Sequence, residues 1–343
     1  MGFPARQPSR FRLGLLGCIM ALGTTSAWAD SAFDPASHPD VAAWVDARVA
    51  AGTDRDWLVK ALDEAGYSQD VLDAMARAPE HRMTWGEYRD IFIQPERVEA
   101  GAAFIEAHRD AFARARAQYG VAPEVIAAII GVETYYGRHT GTHRVLDSLA
   151  TLAFHHPSRG DFFRGELAAF IDLTREQGID PATLEGSYAG AMGYPQFIPT
   201  SYQAYAVDFD ADGKRDLWHD PVDAIGSVGN YFARHGWQAG GAVVSAASGP
   251  ATPPDGVTFN QAREPYVRID ALAAKGITPA GSTGLDGAQR VVPLALEGDD
   301  GRVDYRLGHE NFYVITRYNH SYLYAMAVTT LADRIRDARE ASS

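Results

Sequence analysis

Three stretches of this chain carry residue types and spacings that can do chemistry. In Gly131-Val132-Glu133-Thr134-Tyr135-Tyr136-Gly137 one carboxylate stands in an apolar and aromatic run. Ile126, Ile129 and Ile130 precede it at helical spacing, so a helix stacks Glu133 onto the isoleucine stripe and points it inward. Burial disfavours ionisation, which keeps a carboxyl protonated near neutral pH and able to donate a proton. The alternative is a structural ion pair with a neighbour such as Arg138.

Gly186 to Tyr202 reads GSYAGAMGYPQFIPTSY. Its glycines let backbone approach a ligand, and Tyr188, Tyr194 and Phe197 beside Ser187 and Gln196 suit a flat, hydroxyl-rich sugar ring. Tight helix packing is the other use of such a loop. Phosphate binding is disfavoured, because the glycines lack the GxGxxG spacing and no strand precedes them.

Asp208-Phe209-Asp210-Ala211-Asp212-Gly213 matches the opening of a calcium loop: oxygens at the first, third and fifth positions and a glycine for the sharp turn. The Lys214 carbonyl follows. His219 stands where a bidentate carboxylate is usual, and Asp220 and Asp223 are the nearest acids beyond it; Asp220-Pro221 reads as an N-cap and helix start, which puts Asp223 in the first turn within reach of the ion. His155-His156 lacks metalloprotease spacing, and Gly226-Ser227-Val228-Gly229 lacks the frame of a nucleophile elbow.

These residues need elements to position them. Residues 1–29 read as a signal peptide: Arg6, Arg10 and Arg12, an apolar run from Leu13 to Leu22, and Ala27-Trp28-Ala29 as the cleavage site. Leu15-Leu16-Gly17-Cys18 has a lipoprotein-like form, but the apolar run before Cys18 is short, so a freely soluble exported protein is favoured over a lipid-anchored one. Cys18 is the only cysteine, so the mature chain is held by its core and not by disulfides. Loss of three arginines moves the net charge from -13 to -16 (28 basic against 44 acidic), which argues against a nucleic-acid partner.

Residues 30–120 read as an α domain, with helical apolar spacing from His38 to Gly120, a start signal at Thr53 to Asp56 and a long stretch from Pro95 to Tyr119. Residues 121–237 are helical with shaped loops and carry all three stretches above. Pro123 suits the first turn of the Glu133 helix and Gly137 the left-handed position past its end, about four turns apart. Residues 238–315 read as a small β-rich subdomain, with a hairpin turning at Glu297 to Gly301. Residues 316–343 form a C-terminal segment that returns to the core, helical from Tyr322 to Arg339. The fold class is α+β, mainly α.

The motifs FIQPERVEAG (from Phe92), IIGVETYYGRHTG (from Ile129), LDSLATLAF (from Leu146), GSYAGAMGYPQFIPTSY, DPVDAIGSVGNYF (from Asp220) and RYNHSYLYAMAV (from Arg317) occur in order. Through them the chain resembles the lytic murein transglycosylase B family over nearly all of its mature length. The resemblance implies a lysozyme-like core with an α domain, a small β domain and an EF-hand-like loop. It implies a periplasmic enzyme acting on peptidoglycan glycan strands, with Glu133 as acid and base. Site neighbours carried over by motif are Ser187, Gln196, Tyr231, Tyr318, Asn319 and Tyr324, with Tyr88 of WGEYRDIF lining the cleft. Calcium is the implied cofactor, a structural ion held by Asp208, Asp210, Asp212, Lys214 and Asp223, and no organic cofactor is implied. Cell-wall synthesis or remodelling proteins are conceivable partners of a monomeric chain. In one departure, a pair of arginines often follows the proline of the next connection, whereas here Pro157-Ser158-Arg159 leaves Arg159 alone to contact a peptide stem or saccharide. The rival readings are a muramidase-type hydrolase and a non-catalytic, calcium-stabilised glycan-binding module.

Overall fold

The computed structural model describes residues 31–77, 83–281, 284–298 and 300–341. The expected leader and Cys18 lie outside the described residues.

Six helices come first: α1 (Pro39–Ala50), α2 (Arg55–Asp63), α3 (Gln69–Arg77), α4 (Trp85–Phe92), α5 (Pro95–Ala107) and α6 (Arg109–Tyr119). Their starts follow local chemistry. Asp54 caps α2 by accepting from the Trp57 N–H, and Thr84 with Glu87 forms a reciprocal capping box at α4. The stretch expected as one helix from Pro95 breaks at His108, whose φ of -121 leaves the helical range.

Next come α7 (Pro123–Thr134), β1 (His143–Arg144), α8 (Val145–His155), α9 (Gly160–Gln177), β2 (Glu185–Gly186), α10 (Pro199–Tyr205) and α11 (Pro221–Arg234). The apolar residues of α7 do not form a stripe: every residue from Val125 to Val132 is buried, because the helix is enclosed by α5, α11 and α14 (Tyr322–Ala341). It is a central strut and not an amphipathic surface helix.

A five-stranded antiparallel sheet follows, built from β3 (Val244–Ser248), β4 (Val267–Arg268), β5 (Thr278–Pro279), β6 (Arg290–Glu297) and β7 (Val303–Gly308) in the order β4-β6-β7-β3-β5. β6 and β7 form a hairpin, with Glu297 opposite Val303. The short helix α12 (Ile269–Ala273) closes a small core of Ile269, Leu272, Val291, Tyr305 and Leu307. Val292, Leu294 and Leu296 of β6 join the large core instead, so β6 is buried on both faces. Helix α13 (Glu310–Tyr318), which the sequence pattern did not reveal, then leads into α14.

Candidate active site

Glu133 lies in the last turn of α7 and is half-buried. The helix ends at Thr134, earlier than expected, because Tyr135, Tyr136 and Gly137 all adopt left-handed backbone with φ of 52, 60 and 85. Two tyrosines in this region are costly. Tyr136 is repaid by packing: its ring lies 5.5 Å from that of Phe104, and its hydroxyl donates to the Arg97 carbonyl at 2.9 Å. Thr134 Oγ1 accepts from the Gly137 N–H and donates to the Tyr194 carbonyl, tying this turn to the glycine-rich loop.

The chain's far end supplies the partner of the carboxylate. Tyr324 in the first turn of α14 donates its hydroxyl to Glu133 Oε1 at 2.6 Å. Glu133 therefore meets a phenol, whereas Arg138, the partner of the ion-pair alternative, stacks on Tyr135. Tyr324 is 2% exposed, and burial followed by the charge of Glu133 raises its pKa well above the ordinary phenol value, which keeps it a donor. Its ring lies parallel to that of Tyr318, at 9° and 6.4 Å. Tyr318 donates to the Pro195 carbonyl at 2.5 Å, and Tyr231 on α11 sits 4.8 Å from it and donates to the Arg317 carbonyl. Burial is the main cause of raised pKa at both phenols. Tyr88 on α4 is buried and acts electrostatically on Tyr324. Asn319 is the half-buried C-cap of α13, between Tyr318 and Tyr324.

The glycine-rich loop folds on itself through bridges of Met192 with Gly186 and Phe197. Gly193 has φ 67 and a Cβ there would lie 2.2 Å from the Leu217 carbonyl oxygen, so only glycine fits. Gln196 donates to the carbonyls of Thr140 and Gly193, joining the loop to the segment after Glu133. Ser187 Oγ accepts from the N–H groups of Ala189 and Ala191 at 3.2 and 3.0 Å, so its contacts stay within its own loop. Arg159 is exposed in the α8–α9 connection, with its guanidinium over Phe162 and Phe163, and its described contacts do not reach the Glu133 cluster. Cavity size does not mark the site: a groove of about 1000 Å³ lies beside the acidic loop, lined by Leu184, Asp208 and Trp218.

In that loop the carboxylates of Asp208, Asp210 and Asp212 converge within 4.8 Å, as do those of Asp210, Asp220 and Asp223. Asp223 is 1% exposed and accepts from the N–H groups of Phe209 and Asp216. Burial raises its pKa to about 6. Converging acids, one of them buried, form an all-oxygen donor set that fits a hard divalent cation. Asp220 caps α11 as expected, accepting from Val222 and Asp223, but its place in the second acidic group was not foreseen. It lies outside the usual loop spacing.

A family model described as the transglycosylase SLT domain matches residues 36–333. The membrane-bound lytic murein transglycosylase B of Escherichia coli (strain K12) is 44% identical over 317 residues, 89% of this chain and 85% of that one. Among solved structures, the Escherichia coli lytic transglycosylase Slt35 in complex with calcium is 45% identical, with a TM-score of 0.81 over 89% of this chain and 95% of that one. SltB3 from Pseudomonas aeruginosa in complex with NAG-NAM-pentapeptide is 32% identical, with a TM-score of 0.73 over 86% and 78%. Fold and relatives together define a lysozyme-like lytic enzyme. The chain belongs to the transglycosylase SLT family and, within it, to the lytic transglycosylases.

Proposed function

We propose that this enzyme cuts the β-1,4 bond between N-acetylmuramic acid and N-acetylglucosamine in peptidoglycan without water, leaving 1,6-anhydromuramic ends. The observation that carries this reading is the bond from Tyr324 to Glu133 Oε1. The hydroxyl oxygen of a protonated carboxyl is a poor acceptor, so a phenol donating to Oε1 assigns the transferable proton to Oε2. That proton passes to the glycosidic oxygen as the C1–O bond breaks, leaving positive charge shared between C1 and the ring oxygen. The carboxylate then takes the proton of the muramic C6 hydroxyl, whose oxygen closes onto C1. Glu133 ends protonated, as it began. Hydrolysis usually needs a second carboxylate to act as base or nucleophile. Here the nucleophile belongs to the substrate and carries a high effective concentration, so one carboxylate suffices.

Ser187, Gln196, Tyr231, Tyr318, Asn319 and Tyr88 are assigned to the glycan cleft, and Arg159 to an outlying contact. Support for such a substrate comes from SltB3, solved with NAG-NAM-pentapeptide. The acidic loop, between α10 and α11 as in an EF-hand, would hold calcium through Asp208, Asp210, Asp212, the Lys214 carbonyl and Asp223, with Asp220 adjoining. When bound, the ion supplies charge that offsets the clustered acids, a structural role supported by the calcium complex of Slt35. Action on the wall places the enzyme in the periplasm, reached through the leader at 1–29. Among the described residues no helix is long and apolar enough to cross a membrane.

Mass spectrometry of digested peptidoglycan tests the reading. Anhydromuramic ends are expected, with loss of cleavage in Glu133→Gln. Products heavier by one water would identify a hydrolase, and retained cleavage in Glu133→Gln would remove Glu133 from the mechanism.

A further inference from the structure

Two arginines meet on one tyrosine ring just past Glu133. The Arg97 guanidinium lies 4.8 Å from the Tyr135 centroid and 5.3 Å from that of Phe92, while the Arg138 guanidinium lies 4.7 Å from the same Tyr135 ring. An aromatic face attracts a guanidinium but does not cancel the repulsion between two of them. Several arginines of this acidic protein sit on carboxylates, as Arg48 on Asp172, Arg144 on Asp147 and Arg215 on Glu176, while Arg114, Arg159 and Arg263 each lie singly over aromatic rings. Among the described residues neither Arg97 nor Arg138 has such a partner. Arg97 Nε is buried without a hydrogen-bond partner, and Nη1 makes only a long bond of 3.4 Å to the Gly131 carbonyl. Burial lowers the Arg97 pKa, the sign of a cation deprived of water without full compensation. Tyr135 carries both guanidinium groups at a backbone φ of 52, a costly conformation for an aromatic residue.

The position of the pair selects the anion. Phe92 links it to the reactive centre: its ring lies 5.1 Å from that of Tyr88, which acts on Tyr324, the donor to Glu133. Arg97 also reaches the Gly131 carbonyl two residues before Glu133, and Arg138 follows Glu133 by five, so the pair flanks the end of α7 and offers positive charge to an acidic substituent of the sugar. Paired guanidinium forks are suited to carboxylates.

We infer that Arg97 and Arg138 form an anion subsite that holds a carboxylate of the peptide stem on the muramic acid. This rests on the peptidoglycan reading above. The substrate offers carboxylates from two sources, the peptide and, once the peptide is removed, the lactyl group attached directly to the sugar. A stripped strand keeps the lactyl carboxylate and lacks those of the peptide, so comparing the two strands separates the sources.

The test compares kcat/KM on glycan strands with intact stems and on strands stripped by an amidase, for the natural enzyme, Arg138→Ala and the double variant Arg97→Ala/Arg138→Ala. The ratio of stem-bearing to stripped activity is expected to fall about tenfold in the double variant, chiefly through KM, as expected for loss of charge-assisted hydrogen bonds. Arg138→Ala should produce a smaller fall, and because Arg138 is exposed it keeps the test open if the double variant does not fold. An unchanged ratio overturns the subsite, and so does an equal loss on both strands. If the natural enzyme cleaves neither strand, the enzymatic reading fails. Calorimetry with the free tripeptide L-Ala-γ-D-Glu-meso-diaminopimelate then decides the subsite: binding lost in Arg138→Ala supports it, and no binding overturns it.

Discussion

Tyr324 and Glu133, 191 positions apart, share a hydrogen bond of 2.6 Å between the first turn of α14 and the last turn of α7. The bond joins the C-terminal helix to the carboxylate at the end of α7.

Tyr324→Phe removes that donor and little volume. A hydrogen bond to a charged group contributes roughly 1.5–3 kcal/mol, so kcat should fall on the order of 10- to 100-fold while the melting temperature changes little. Steady-state release of soluble glycan fragments and a thermal melt of the variant check this. An unaltered kcat would show that Tyr324 does not position the carboxylate.

Gly131 has no room for a methyl group. A Cβ there would lie 2.6 Å from both the ring and the hydroxyl oxygen of Tyr136. Gly131→Ala should destabilise the fold by about 1–3 kcal/mol. Activity should fall as well, because Tyr136 anchors the turn that follows Glu133. Urea melts and turnover of the variant give the two readouts.

Chelation should lower the melting temperature if the acidic loop holds calcium, since a ligand bound only to the native state stabilises it by mass action. Asp223→Asn should abolish most of the difference between melts in calcium and in EDTA. Isothermal titration with calcium gives a second measure, in which the variant should bind weakly or not at all.

Acid should destabilise the protein through its histidines. Burial is the leading cause of lowered pKa at His108, His155, His235 and His309, each from the ordinary 6.5. A depressed histidine pKa means that the unfolded chain binds more protons. This contribution is therefore complete above pH 6.5 and is lost as pH falls through the folded values. Melting temperatures should drop between pH 7.5 and pH 5. His309→Gln should flatten part of that slope, because His309 is 6% exposed and paired with Ser245.

Much of the site was legible in the sequence because its signals are local. Asp220-Pro221 starts α11 wherever the helix packs, and the spacing of Asp208, Asp210 and Asp212 brings their oxygens together through the turn itself. Glu133 stood out as one carboxylate in an apolar run, and the motifs around it named its family. Other features depended on distant packing. The αL backbone of Tyr135 and Tyr136 shortens α7 against the glycine signal, because Phe104 and the Arg97 carbonyl hold Tyr136 beneath the helix. Tyr324 was expected to touch substrate, and only the packing of α14 against α7 made it the partner of Glu133. The two arginines on Tyr135 come from α5 and from the turn after α7, and no sequence spacing links them. By itself the sequence determined the family and most of the elements and singled out Glu133 as a candidate, since periodicity, caps and turn chemistry act over a few positions. Only the tertiary structure decided that Tyr324 meets that carboxylate and that Arg97 and Arg138 share one ring, because those contacts exist only once distant segments share one core.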